Sequence, residues 1–135
     1  MDGIILTPLK QIQNSKGDIF HAIKRSSDGY QGFGEAYFST INKGDIKNWR
    51  KHKKLTSNII VPVGEVKFVI YDEKVKEFFS VKLSLNSYQR LTVKPGFWFA
   101  FQGLAELNLL LNVANIEHDP NESVNKDLKE FKYEW

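Results

Sequence analysis

The sequence has no cysteine, which excludes disulfide staples and thiolate chemistry and gives no argument for secretion. It has no apolar run approaching the length that spans a bilayer. Its first residues, Met1-Asp-Gly-Ile-Ile-Leu, lack the basic segment and long apolar stretch of a secretory leader. The expected location is therefore the cytoplasm. Charge of one sign is not in large excess either: 19 Lys and Arg stand against 16 Asp and Glu, a formal net charge of +3. A dedicated nucleic-acid binder carries a heavier basic surplus. No internal repeat and no low-complexity linker divides the chain, and helical periodicity is missing before the tail.

What remains is a 135-residue chain, 41% hydrophobic and 26% charged, long enough for a single domain over residues 1–135 with a real core. It breaks into short strand-like runs separated by turn residues. Gly3 to Leu6 is apolar; Asn14-Ser-Lys-Gly-Asp18 and Ser26-Ser-Asp-Gly29 read as turns around Ile19 to Lys24. Phe33 to Ile41 is rich in aromatic and β-branched residues. Ile59 to Val63 and Val66 to Tyr71 flank Gly64-Glu65 and read as a hairpin. Glu77 to Leu85 alternates, with Phe79, Val81, Leu83 and Leu85 on one side, as a half-buried strand does. Gln89 to Val93, the aromatic run Phe97-Trp-Phe-Ala-Phe101 and Leu107 to Val113 follow. Nine or ten short strands at near-regular spacing predict an all-β antiparallel sandwich or jelly roll. In the tail, Asp119-Pro-Asn-Glu-Ser123 offers helix-start residues, and Val124, Leu128 and Phe131 recur at helical spacing, which predicts a short C-terminal helix packed on the barrel.

Charge concentrates in one place. Between Lys43 and Lys54 there are six Lys or Arg and one Asp, interleaved with Trp49. Such a cluster suits a local anion site, a solvated strand edge that discourages aggregation, or a nucleic-acid contact that the charge alone would support. Within it Arg50 and His52 alternate, so a strand would point both to one face. An interior Arg needs a partner, and Glu35 or an anionic ligand would serve. Histidine is the natural acid and base near neutral pH.

The spacing from Gly44 to Gly64 resembles the first motif of the cupin β-barrels, with both glycines in place and His52 at the second histidine position. Arg50 and Ser57 replace the motif's first histidine and its glutamate, and Phe99 stands where the second motif carries histidine. His52 is thus left as the one good ligand of four positions, and no catalytic metal and no cofactor are expected. Further segments, Gly34-Glu-Ala-Tyr-Phe-Ser39, Ile46-Lys-Asn-Trp-Arg-Lys-His-Lys-Lys54, Val61-Pro-Val-Gly-Glu-Val-Lys67, Val69-Ile-Tyr-Asp72, Val93-Lys-Pro-Gly-Phe-Trp98 and His118-Asp-Pro120, resemble in order those of the dTDP-4-dehydrorhamnose 3,5-epimerase family and the related sugar-nucleotide 3,4-ketoisomerases.

That resemblance implies a cupin jelly-roll barrel and a homodimer. It implies a dTDP-linked 4-keto-6-deoxyhexose as substrate, metal-free proton abstraction beside the C4 ketone, and a place in surface polysaccharide synthesis. It gives His52 as base, Arg50 as the electrostatic group and Tyr37 as acid. Lys47, Trp49, Glu35, Asn58 and His21 become substrate-binding candidates, with Lys67 and His118 behind them. Phe97, Trp98, Phe99 and Phe101 read as barrel wall. The family's late-strand tyrosine is missing between Asn112 and His118, and Arg50 sits where the family places its base. A cupin that binds a sugar nucleotide without turning it over is therefore the alternative.

Overall fold

A computed structural model describes residues 1–135. Ten of its strands form two five-stranded antiparallel sheets. The first holds β1 (Ile4–Pro8), β4 (Glu35–Thr40), β6 (Ser57–Val63), β9 (Gln89–Val93) and β11 (Leu109–Ala114), in spatial order β1-β9-β6-β11-β4. The second holds β5 (Ile46–His52), β7 (Val66–Asp72), β8 (Glu77–Leu83), β10 (Trp98–Gly103) and β12 (Ser123–Lys126), in order β12-β5-β10-β7-β8. A small ribbon of β2 (Gln11–Ile12) and β3 (Ile19–Phe20) stands apart. This is the expected jelly roll.

Alternation along each strand decides what lies between the sheets. Ile59 and Val61, Leu91 and Val93, and Leu110 project inward from the first sheet. Val66, Phe68 and Ile70, Leu83 and Phe99 meet them from the second. These residues close one half of the interior with apolar packing. The other half, between β4, β11 and β5, carries polar side chains and stays open.

Gly64-Glu65 does not close a hairpin. β6 belongs to the first sheet and β7 to the second, so the turn carries the chain across the sandwich. Gly64 sits at φ 81°, and a Cβ there would lie 2.2 Å from the Leu107 carbonyl oxygen. Asn108 fixes this corner, its Oδ1 accepting from the backbone N–H of Glu65 and Ala105. Alternating apolar runs around a glycine look alike whether the strands pair or part; the long-range pairing of β6 with β9 and β11 decides the matter.

The tail forms no α-helix. Asn121 N–H donates to Asp119 Oδ1 in a side-chain turn, and the chain then enters β12, which pairs antiparallel with β5. Only a 3₁₀ turn, Leu128–Glu130, follows. The reason is an open edge: β5 offers unpaired backbone groups that β12 satisfies. Leu128, Phe131, Tyr133 and Trp135 then lie across the outer face of the second sheet, over a second core of Trp49, Val69, Trp98 and Ala100. The apolar spacing read as a helix face is thus an extended strap.

Candidate active site

A bulge in β5 sets the site's lining. Phe99 of β10 pairs with Arg50, and Phe101 with Lys47, so two residues on β5 oppose the single residue Ala100. The extra residue lets Lys47 and Arg50, three apart, face the same way. Lys47, Asn48, Arg50 and His52 line a cavity of about 630 Å³, closed opposite by Tyr37 and Ser39 of β4 and Asn112 of β11.

His52 is held from two sides. Its ring stacks on Phe99, with centroids 5.9 Å apart and planes 29° from parallel. Its Nδ1 lies 2.6 Å from Glu122 Oε1. Glu122 is 7% exposed, and its other oxygen accepts from the backbone N–H groups of Lys53, Lys54 and Leu55, each at 2.9 Å. Burial alone would raise the Glu122 carboxyl; the Lys54 N–H, His52 and the Leu55 N–H together bring it below its ordinary value. A carboxylate beside Nδ1 fixes the neutral ring as the Nδ1–H tautomer and leaves Nε2 as the free basic nitrogen.

Positive charge stands beside it. Arg50 Nε donates to Asn125 Oδ1 of β12 at 3.1 Å and has no carboxylate partner. Lys47 Nζ donates to Ser39 Oγ at 2.9 Å and to the Thr40 carbonyl at 3.0 Å. Burial, then repulsion from Arg50, lowers the Lys47 pKa. Two cations set together in a polar cavity with no acid between them favour an anionic ligand.

On the far wall, Asn112 Nδ2 donates to the Tyr37 hydroxyl at 2.9 Å. The hydroxyl's own proton is then free to point at a ligand. Asn112 Oδ1 is buried without a partner. Tyr37 thus brings a phenol to the cavity wall opposite His52.

Several candidates lie elsewhere. Trp49 is 0% exposed and belongs to the outer core, its Nε1 donating to the Leu128 carbonyl at 3.2 Å; strand alternation turns it away from its cavity-facing neighbour Arg50. Asn58 faces the opposite side of its sheet, accepting from Arg90 Nε and Thr92 Oγ1 and donating to the Gly29 carbonyl. His21 follows β3, and its backbone N–H pairs with the Lys10 carbonyl, away from the cavity. Glu35 opens β4 opposite Ala114 and is not part of the cavity wall. Lys67 lies over the Tyr133 ring on the outer face, and His118 is exposed.

Sequence reading missed Glu122 and Asn125. Both belong to the segment expected to be helical, where a Glu three residues after an Asp reads as a cap. No group of three or more His, Cys, Asp or Glu side chains converges in the structure.

The arrangement defines a jelly-roll cupin with a polar, cationic cavity built around one carboxylate-bound histidine. Comparison with solved structures places it among the RmlC-like cupins by fold. A dTDP sugar isomerase from Desulfovibrio desulfuricans G20 superposes with a TM-score of 0.93 at 28% identity, over 99% of this chain and 91% of the other. The 3,4-ketoisomerase QdtA from Thermoanaerobacterium thermosaccharolyticum, as a histidine-to-asparagine mutant in complex with TDP-4-keto-6-deoxyglucose, gives 0.80 at 21% identity, over 92% and 88%. The dTDP-6-deoxy-D-glucose-3,5-epimerase RmlC from Legionella pneumophila, in complex with dTDP-4-keto-L-rhamnose, gives 0.80 at 17%, over 93% and 73%. The sequence matches no protein-family model and no curated protein.

Proposed function

We propose that this protein is a dTDP-sugar isomerase, an epimerase or ketoisomerase that moves a proton beside the C4 ketone of a nucleotide-linked 4-keto-6-deoxyhexose. The observation that carries this reading is the His52–Glu122 pair set in the cavity beside Arg50 and Lys47. The buried carboxylate orients the ring and leaves its Nε2 for proton transfer.

The chemistry follows from the groups present. His52 Nε2 takes the proton from C3. The C3–H bond electrons form the C3–C4 double bond, and the carbonyl electrons move to the C4 oxygen. Arg50, Lys47 and the Tyr37 hydroxyl supply positive charge and a proton for that oxygen. Return of the proton from His52 to C3 exchanges that centre with retention, whereas inversion requires delivery to the opposite face, from the far wall that carries the Tyr37 hydroxyl. Delivery to C4, with loss of the C3 hydroxyl proton, moves the ketone to C3. Nothing in the scheme needs a resident cofactor, because the ketone itself acidifies the neighbouring C–H. One base on one wall favours chemistry at C3 and C4 over inversion at both C3 and C5. The second anionic demand, the diphosphate, falls to whichever of Arg50 and Lys47 the sugar leaves free.

The resemblance extends the proposal to a homodimer working in surface polysaccharide synthesis. Sedimentation of the purified protein tests the first, and the presence of a sugar-nucleotide dehydratase gene alongside tests the second.

Incubation with dTDP-4-keto-6-deoxyglucose in deuterated water tests the reaction. Deuterium at C3 or C4, with C5 unlabelled, is the expected pattern. Labelling at both C3 and C5 would make the protein a 3,5-epimerase. Tight dTDP binding with no label anywhere would leave it a binding cupin. A His52→Asn variant is expected to bind dTDP and to exchange nothing; exchange at the normal rate would remove His52 from the role of base.

A further inference from the structure

On the outer face of the first sheet, Arg90 of β9 lies opposite Thr7 of β1. Their inward-facing neighbours Leu91 and Leu6 pack into the core, so this pair is separated from the cavity by the sheet itself. The loop over residues 21–30 folds down on it. Arg90 is 1% exposed and is held by three neutral acceptors: Asn58 Oδ1 at 3.2 Å, the Ala22 carbonyl at 2.9 Å and the Asp28 carbonyl at 2.9 Å. A guanidinium has five N–H donors, so two are left over. Arg90 forms no salt bridge; the Asp28 side chain is exposed and its attraction does not offset the burial that lowers the Arg90 pKa. A buried cation without an anion costs free energy that neutral acceptors recover only in part.

Two further observations point the same way. Arg90 and Thr7 open onto a second cavity of about 250 Å³, whose rim carries Lys10, Lys24 and Ser27 and no acidic side chain. Thr7 Oγ1 is buried there with no hydrogen-bond partner. A buried guanidinium with spare donors, an orphaned hydroxyl and two exposed lysines at the mouth are the parts of an oxyanion pocket. Its volume is less than half that of the main cavity.

We propose that this pocket binds a small oxyanion of the phosphate class, held by Arg90 and Thr7 from below and by Lys10 and Lys24 from the rim. Such an anion would tie the 21–30 loop to the outer face of the first sheet. Asn58, which bonds Arg90, shares β6 with Ser57, so occupancy would stiffen the strand that forms the cavity floor.

Thermal unfolding in inorganic phosphate, read against chloride at equal ionic strength, tests this. Phosphate at about ten times its dissociation constant is expected to raise Tm by about 4–6 °C. A Lys10→Ala/Lys24→Ala double variant, which changes only exposed side chains, is expected to lose most of that gain. A Lys47→Ala/Arg50→Ala variant of the main cavity is expected to keep it. Backbone amide shifts on phosphate titration should include Thr7 and Ser27. A parallel titration with a nucleoside monophosphate distinguishes the sources: a matching response means the pocket accepts any exposed phosphoryl group, and no response means it takes the free ion. A phosphate effect that survives the lysine double variant and vanishes in the cavity variant would overturn the proposal, as would no phosphate response in the wild-type protein.

Discussion

His52 and Glu122 lie 70 residues apart in sequence and 2.6 Å apart in space. The contact exists because β12 returns to pair with β5, bringing Ser123 level with His52. Glu122 also ties down three consecutive backbone N–H groups just past the end of β5, so it serves the strand's exit and the histidine together.

Replacing Glu122 with Gln removes the charge that supports an imidazolium and presents an amide donor to part of this network. The kcat for deuterium exchange is expected to fall about 10- to 100-fold, with dTDP affinity changed less than about threefold. Single-turnover exchange and calorimetric dTDP titration separate the two effects.

Acid stability gives the same contact a second readout. The Glu122 carboxyl is held below its ordinary value, so the folded state prefers it ionised more strongly than the unfolded chain does. Its contribution to stability is present above the ordinary carboxylate range and is lost as pH falls through and below that range. Urea midpoints measured from neutral pH downward are expected to decline less steeply for Glu122→Gln than for the wild type.

The paired cations should differ in their readouts, Lys47 in binding and Arg50 in rate. Lys47→Ala is expected to weaken dTDP binding about tenfold, the loss of one charge-assisted contact. Lys47→Arg is expected to recover part of that. Arg50→Lys should bind but lose rate, because a point charge cannot copy the fork that spans two oxygens.

Tyr37→Phe keeps the ring and removes the hydroxyl that accepts from Asn112. If that hydroxyl delivers the proton to the C4 oxygen, kcat should drop about 10²-fold with little change in KM. The variant also leaves Asn112 Nδ2 with only its long 3.5 Å bond to Ser57 Oγ, so a modest Tm decrease is expected alongside.

Trp49→Ala opens a hole under the tail strap and is expected to cost about 3–5 kcal/mol of stability. Denaturant titration measures this directly. The cavity-facing neighbours of Trp49 are Asn48 and Arg50, so ligand affinity measured well below the unfolding midpoint should survive. A large affinity loss there would return Trp49 to the ligand site.

The strands were legible because two-residue alternation records which face is buried, as Phe79, Val81 and Leu83 show. The cavity positions Arg50 and His52 followed from the same alternation. What alternation cannot carry is a change of phase: the bulge opposite Ala100 gave Lys47 the same face as Arg50. Nor does it report pairing. Gly64 looked like a hairpin turn because local sequence does not say which sheet a strand joins. Asn58 lies on a cavity-wall strand but on its outer face, where Arg90 claims it. Glu122 was hidden for a further reason, since Asp119-Pro120-Asn121-Glu122 has turn and cap chemistry that fits a helix start and a strand entry alike.

The bulge also governs how this strand tolerates change in length. Asn48 is the surplus residue between two pairs that stay in register, Lys47 with Phe101 and Arg50 with Phe99. Losing it would let the strand relax to plain alternation with Lys47, Arg50 and His52 still inward. Losing any residue from Arg50 to His52 would invert the strand and carry its basic groups out of the barrel. In an alignment of related chains, a gap at position 48 should therefore be neutral, whereas gaps two or three columns later should coincide with loss of the histidine's partner.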